Sequence, residues 1–130
     1  MNNVAVGCTA ALGFLLFGLG WPVSGVRFFK KRFSGYETDP SDLLFKVVRA
    51  HGNTAEYAPF FAILFLYLGA RHAEPWVMWT MIAATACRYL LVIGMIAFPT
   101  LAKPNPVRFF GAAGTYCCGL ALCYAALRTL

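Results

Sequence analysis

The segment Arg49-Ala50-His51-Gly52-Asn53-Thr54-Ala55-Glu56-Tyr57 leads into Pro59-Phe60-Phe61 and an apolar run to Ala70. Wound as a helix at ~100° per residue, it gathers Arg49, Asn53, Glu56 and Phe60 in a wedge of roughly 60°, with Lys46 and Tyr57 at its edge. His51 falls on the opposite side. At ~1.5 Å per residue the segment is long enough to cross a bilayer. A polar stripe on such a helix reads as a functional site, because ionisable groups are expensive in lipid unless they serve a ligand or a path. An internal ion pair that merely joins helices and a proton relay are the two competing readings of the same residues.

The whole chain supports a membrane setting. Its 130 residues are 60% hydrophobic and 12% charged, and the mean hydropathy is +0.65, too apolar for a soluble domain of this size. No basic n-region precedes the first apolar run, so that run is expected to stay in the bilayer rather than act as a cleavable signal. The net charge of +6 is not arranged as a nucleic-acid-binding face. The basic residues cluster at expected helix ends, as they do for bilayer orientation and for contact with anionic lipid or ligand. Five cysteines, Cys8, Cys87, Cys117, Cys118 and Cys123, lie in apolar segments without Cys-x-x-Cys spacing or a partner His. They read as small buried apolar residues, with no metal site or disulfide.

Around the stripe the spacing predicts four helices in a single domain spanning 1–130, over about 4–29, 43–70, 76–98 and 107–127. Pro22 sits near the end of the first. A polar loop with Gly35 and Pro40 follows, and Ser41 or Asp42 is the expected N-cap of the second helix. The short loop 71–75 permits only an antiparallel neighbour, and Trp76 and Trp79 open the third helix at interface depth. Arg88 is the one charge in the third helix. Counted from the shared loop, it and Glu56 lie ~12 and ~14 residues deep, so a Glu56–Arg88 pair is possible and would leave Arg49 uncompensated. In the fourth helix Gly111, Ala112, Ala113, Gly114, Gly119, Ala121, Ala125 and Ala126 favour close helix contact. Arg27, Lys30, Lys31, Arg32, Lys103 and Arg108 rim the first and third loops, against Arg71 and Arg128 at the other end. The basic side is therefore expected to be cytoplasmic, with both termini non-cytoplasmic and the stripe opening toward the cytoplasm.

Arg49-Ala50-His51-x-Asn53-x-x-Glu56-Tyr57-x-Pro59-Phe60 resembles the signature of the MAPEG superfamily, membrane-associated proteins of eicosanoid and glutathione metabolism. Val26-Arg27-x-x-Lys30-Lys31-x-Phe33 is similar to the end of the first helix in one branch, and Pro104-Asn105 with Phe109-Phe110 to the third loop in another. The resemblance implies an all-α, integral membrane four-helix bundle assembling as a homotrimer, with glutathione between subunits near the cytoplasmic side. It implies that Arg49, Asn53, Glu56 and Tyr57 hold glutathione from one subunit while Arg27 and His51 reach it from the next. Glutathione carries two carboxylates and one ammonium, so surplus Arg with one Glu complements it. Arg108, and after it Arg27, are the candidates for activating the thiol.

The pattern departs from the family at Leu91 and Met95, apolar where several members carry aromatic or His side chains. The function implied is transfer of glutathione to a lipophilic acceptor drawn from membrane lipid, or reduction of lipid hydroperoxides. The alternatives are a non-catalytic ligand-binding scaffold of the same fold and a small proton-coupled transporter using Glu56.

Overall fold

The computed structural model describes residues 2–35, 37–71 and 74–130; Met1, Tyr36, and His72 and Ala73 of the second loop lie outside the described residues. Four helices follow one another as α1 (Asn3–Phe29), α2 (Leu43–Gly69), α3 (Pro75–Ile96) and α4 (Pro106–Leu127). Among the described residues there are no strands. Each helix begins where its local chemistry directs. Asn2 accepts from the Val4 amide at 2.8 Å, Asp42 caps α2 through the amides of Leu44 and Phe45, and Pro75 and Pro106 occupy first-turn positions whose N–H would be orphaned anyway. Of the two candidate caps, Asp42 fills the position. Its carboxylate also pairs with Lys30, and that ammonium, with the Leu44 and Phe45 amides, holds the carboxyl below the usual carboxylate range.

Seven of the eight helix ends lie within one residue of the expected positions, and the eighth differs by two, α3 stopping at Ile96 instead of about 98. Pro99 disfavours helical backbone at Phe98. The freed carbonyls have a partner: Lys46 Nζ, buried beneath α2, donates to Ile96 O at 3.3 Å and Phe98 O at 3.0 Å.

The helices run up and down as an antiparallel bundle. At one end the Asn2 amide donates to Gly69 O at 2.9 Å and the Tyr67 and Thr129 hydroxyls meet at 2.7 Å, so Asn2 and Thr129 both sit beside the last turn of α2. At the other end the Leu101 amide donates to Pro40 O at 2.9 Å, joining the first and third loops. The tightest crossing is between α3 and α4. A Cβ on Gly111 would come within 2.5 Å of the Leu91 amide nitrogen, and one on Gly94 within 2.6 Å of that of Arg108. The backbones meet there because neither residue has a side chain.

Packing divides into two apolar clusters. The larger joins Ala5, Leu12, Phe65, Met81 and Leu122 from all four helices. The smaller, toward the basic loops, joins Leu15, Leu19, Ala50, Leu91, Val92 and Met95. Between them lies a polar layer of Asn53, Thr54 and Arg88. Leu91 and Met95 are buried core residues facing α1, α2 and α4, which accounts for their apolar character.

Among the described residues α1, α3 and α4 are long and apolar enough to cross a membrane. The 27-residue α2 matches α1 in length but carries the polar stripe. Phe14, Phe17, Trp21 and Leu120 are more than 70% exposed on the outer surface, which suits lipid as the surrounding medium. The cysteines are corrected in part. Cys8 is buried, but Cys117 and Cys123 face outward, and in lipid a thiol there has no reason to turn inward.

Candidate functional site

The stripe on α2 does not act as one surface. It separates into an inward and an outward set, because the wedge spans the boundary where α2 leaves α3. Asn53 turns in: its carbonyl oxygen and Oδ1 accept from Arg88 Nη2 at 3.1 and 2.8 Å. Tyr57 lies beside it with its ring centre 5.0 Å from the Arg88 guanidinium carbon, a cation–π arrangement. Lys46 is likewise directed inward, to the end of α3.

Arg88 itself is fully buried, and among the described residues its Nε and Nη1 have no hydrogen-bond partner. The possible Glu56–Arg88 ion pair is not formed: among the described residues no cationic nitrogen lies within 4.0 Å of a Glu56 oxygen, and Arg88 takes the Asn53 acceptors instead. The reason is geometric. Glu56 sits on the exposed edge of α2 while Arg88 approaches from α3 beneath it.

Arg49, Glu56 and Phe60 form the outward set, all exposed. Among the described residues neither Arg49 nor Glu56 makes a side-chain ion pair or side-chain hydrogen bond. His51 is half-buried on another side of the helix. Two opposite charges thus project about two turns apart from the outer face of an apolar bundle.

Beside Glu56 a cleft of about 460 Å³ opens between α2 and α4. Glu56, Tyr57 and Tyr116 stand at one end, and Phe60, Leu64 and Leu120 line the way toward Cys123. The Tyr57 and Tyr116 rings are 6.0 Å apart. Tyr116 escaped the sequence reading because a lone phenol in an uncharged helix has no visible partner until the rotation of α4 against α2 is known.

The two arginines at the basic loops are engaged. Arg108 donates from Nη1 to Leu101 O at 3.0 Å and from Nη2 to Lys103 O at 3.2 Å, bracing the third loop. Its amide is capped by Asn105 Oδ1 at 2.7 Å, and Asn105 Nδ2 donates to Gly94 O at 3.0 Å, so one buried amide side chain ties the start of α4 to the end of α3. Arg27 donates from Nη2 to Gly35 O at 3.1 Å, while its buried Nε has no hydrogen-bond partner among the described residues. Within one chain, then, Asn53, Tyr57 and Arg88 come together, and Glu56 joins Tyr57 at the cleft. Arg27 and Arg108 are at the loop end, bonded to loops rather than to the stripe.

This geometry has chemical consequences. An exposed guanidinium and carboxylate on one helix face can take a ligand carrying both carboxylate and ammonium. An adjoining apolar cleft with phenols at its polar end can take an amphiphile.

A model of the MAPEG family matches residues 5–128, nearly the whole chain. No curated protein and no solved structure matches it. With three apolar helices of spanning length, the chain is an integral membrane protein.

Proposed function

The chain belongs to the MAPEG family, which includes glutathione transferases, peroxidases and eicosanoid-synthesis enzymes, and from that premise we propose that it binds glutathione and transfers it to lipophilic electrophiles or reduces lipid hydroperoxides. The observation that carries the reading is the pair of Arg49 and Glu56 on the outer face of the bundle, neither in an ion pair among the described residues. Facing lipid, each would be costly by ~2.5 kcal/mol or more. Facing a zwitterionic peptide, each has a partner: Arg49 binds a glutathione carboxylate and Glu56 accepts from the ammonium.

In this reading the protein is a homotrimer, and the partner for the outward face is a second copy of the chain. Arg27 and His51, which do not reach the stripe within one subunit, approach the ligand from the neighbour. The site opens on the side of the basic loops, which is the cytoplasmic side, with both termini opposite. The acceptor lies in the α2–α4 cleft, whose apolar length selects by shape and whose Glu56 is shared with the glutathione site.

The chain's own residues then perform three tasks. Arg49, Asn53, Glu56 and Tyr57 orient glutathione; an arginine at the basic rim, Arg108 first and Arg27 second, stabilises the thiolate; and the cleft holds the acceptor carbon or peroxide oxygen against the sulfur. In transfer the sulfur–carbon bond forms as the acceptor's leaving bond breaks, and the thiol proton ends on the leaving group or in solvent.

A second reading, a non-catalytic ligand-binding member, is favoured by the two hydrogen bonds that commit Arg108 to the third loop and by the apolar core positions of Leu91 and Met95. The deciding experiment is calorimetry of glutathione binding to the purified protein together with turnover of a reactive aryl halide. Binding with turnover supports the enzyme; binding alone supports the scaffold; neither overturns both.

A further inference from the structure

At the opposite end of the bundle from the basic loops, a recess of about 200 Å³ lies between the ends of α2 and α4 and the start of α3. We propose that it binds the phosphoethanolamine headgroup of a membrane phospholipid. At ~30 Å³ per water in the liquid, the recess has room for a phosphate with a two-carbon arm.

Three charged side chains converge there, Arg71, Arg128 and Glu74, and among the described residues none of them is in an ion pair. Arg71 is held in place. Its guanidinium carbon lies 4.2 Å from the centre of the Tyr67 ring, and the Tyr67 hydroxyl is bonded to Thr129 at the end of α4. Glu74 is also oriented, with Oε2 accepting from Trp76 Nε1 at 2.6 Å and Oε1 left for another donor.

Two guanidiniums and one carboxylate that do not neutralise one another match a ligand with one phosphodiester and one ammonium. The guanidiniums donate to the phosphate oxygens in the forked geometry that suits them. Glu74 Oε1 accepts from the primary ammonium, which a quaternary choline cannot offer as a donor. A glycerol headgroup has no cation for Glu74 to meet. Leu68 and Val77 form a buried apolar floor for the first methylenes, and Trp76 marks interface depth. The ordinary role of such arginines is to complement the helix C-termini they follow; that role would give no preference among headgroups.

The test uses the full chain, delipidated in mild detergent and titrated with dioleoyl phosphatidylethanolamine while adducts are counted by native mass spectrometry. One tightly held lipid per chain is expected, preferred over the choline and glycerol analogues. Arg71→Gln with Arg128→Gln should weaken it by about tenfold or more. Glu74→Gln, which keeps both arginines, should abolish the preference for ethanolamine over glycerol headgroups while binding persists. Equal retention by wild type and the double variant, no headgroup preference, or full displacement by inorganic phosphate would overturn the proposal. Because no step uses glutathione, failure here leaves the glutathione reading untouched.

Discussion

Arg88 closes on Asn53 rather than on Glu56: one terminal nitrogen of a fully buried guanidinium donates to both the backbone and side-chain oxygens of Asn53, 3.1 and 2.8 Å away. The contact ties α3 to α2 at the polar layer between the two apolar clusters. It also leaves Glu56 free of Arg88, so that the stripe's only carboxylate remains on the outer face.

This arrangement predicts an asymmetry between two substitutions. Asn53→Ala strips a buried cation of its side-chain acceptor and should destabilise the protein by ~1–3 kcal/mol. Arg88→Met removes the buried charge together with its need for partners and should be nearly neutral or stabilising. Thermal unfolding in the same detergent compares them; an Arg88→Met variant less stable than Asn53→Ala would show that Arg88 contributes more than a tie between helices.

Glutathione affinity should fall at least tenfold in Arg49→Ala and in Glu56→Gln, since removing one partner of a desolvated charge pair costs on the order of 2–5 kcal/mol. Calorimetry reads it directly. Unchanged affinity in both variants would return the outward charges to a contact between subunits.

For the thiol, the expectation is that bound glutathione is largely thiolate at neutral pH, although a free thiol titrates near ~8.5. Ultraviolet thiolate absorbance on adding glutathione should be present in wild type and in Arg108→Lys, which keeps the charge, and lost in Arg108→Leu. Loss in Arg108→Lys as well would assign Arg108 to bracing Leu101 and Lys103 alone.

Asp42 gives a pH dependence. Its folded carboxyl is held below the ordinary range by Lys30 and the helix-start amides, so the unfolded chain binds the proton more readily. The resulting stabilisation is complete above the ordinary Asp pKa of ~3.9 and is lost as pH falls through the lower folded value. Asp42→Asn keeps an N-cap acceptor but no charge. Melting curves of wild type and Asp42→Asn should therefore differ at neutral pH and converge in acid; a constant gap would mean that the charge contributes nothing.

Gly111→Ala should destabilise by ~1–3 kcal/mol, because the added methyl meets the Leu91 backbone instead of a flexible side-chain end. Gly52→Ala, where a Cβ meets nothing within 4 Å, is the control and should be neutral or slightly stabilising in its helix. Equal melting temperatures for the two variants would disprove the tight crossing.

Helices, their caps and the up-and-down order follow from the sequence because they depend on local chemistry: uninterrupted apolar runs, Asp42 ahead of Leu43, prolines at 75 and 106, and a 71–75 connection too short for anything but an antiparallel return. The stripe too is legible, since helical periodicity fixes which side chains share a face. Periodicity does not fix what each face meets. Only the rotation of α2 against α3 and α4 turned Asn53 and Lys46 inward, left Arg49 and Glu56 outside, and set Tyr116 beside Tyr57. Those choices belong to side-chain packing across helices, where the same polar residue is a core tie or an exposed group according to a few tens of degrees of helix rotation.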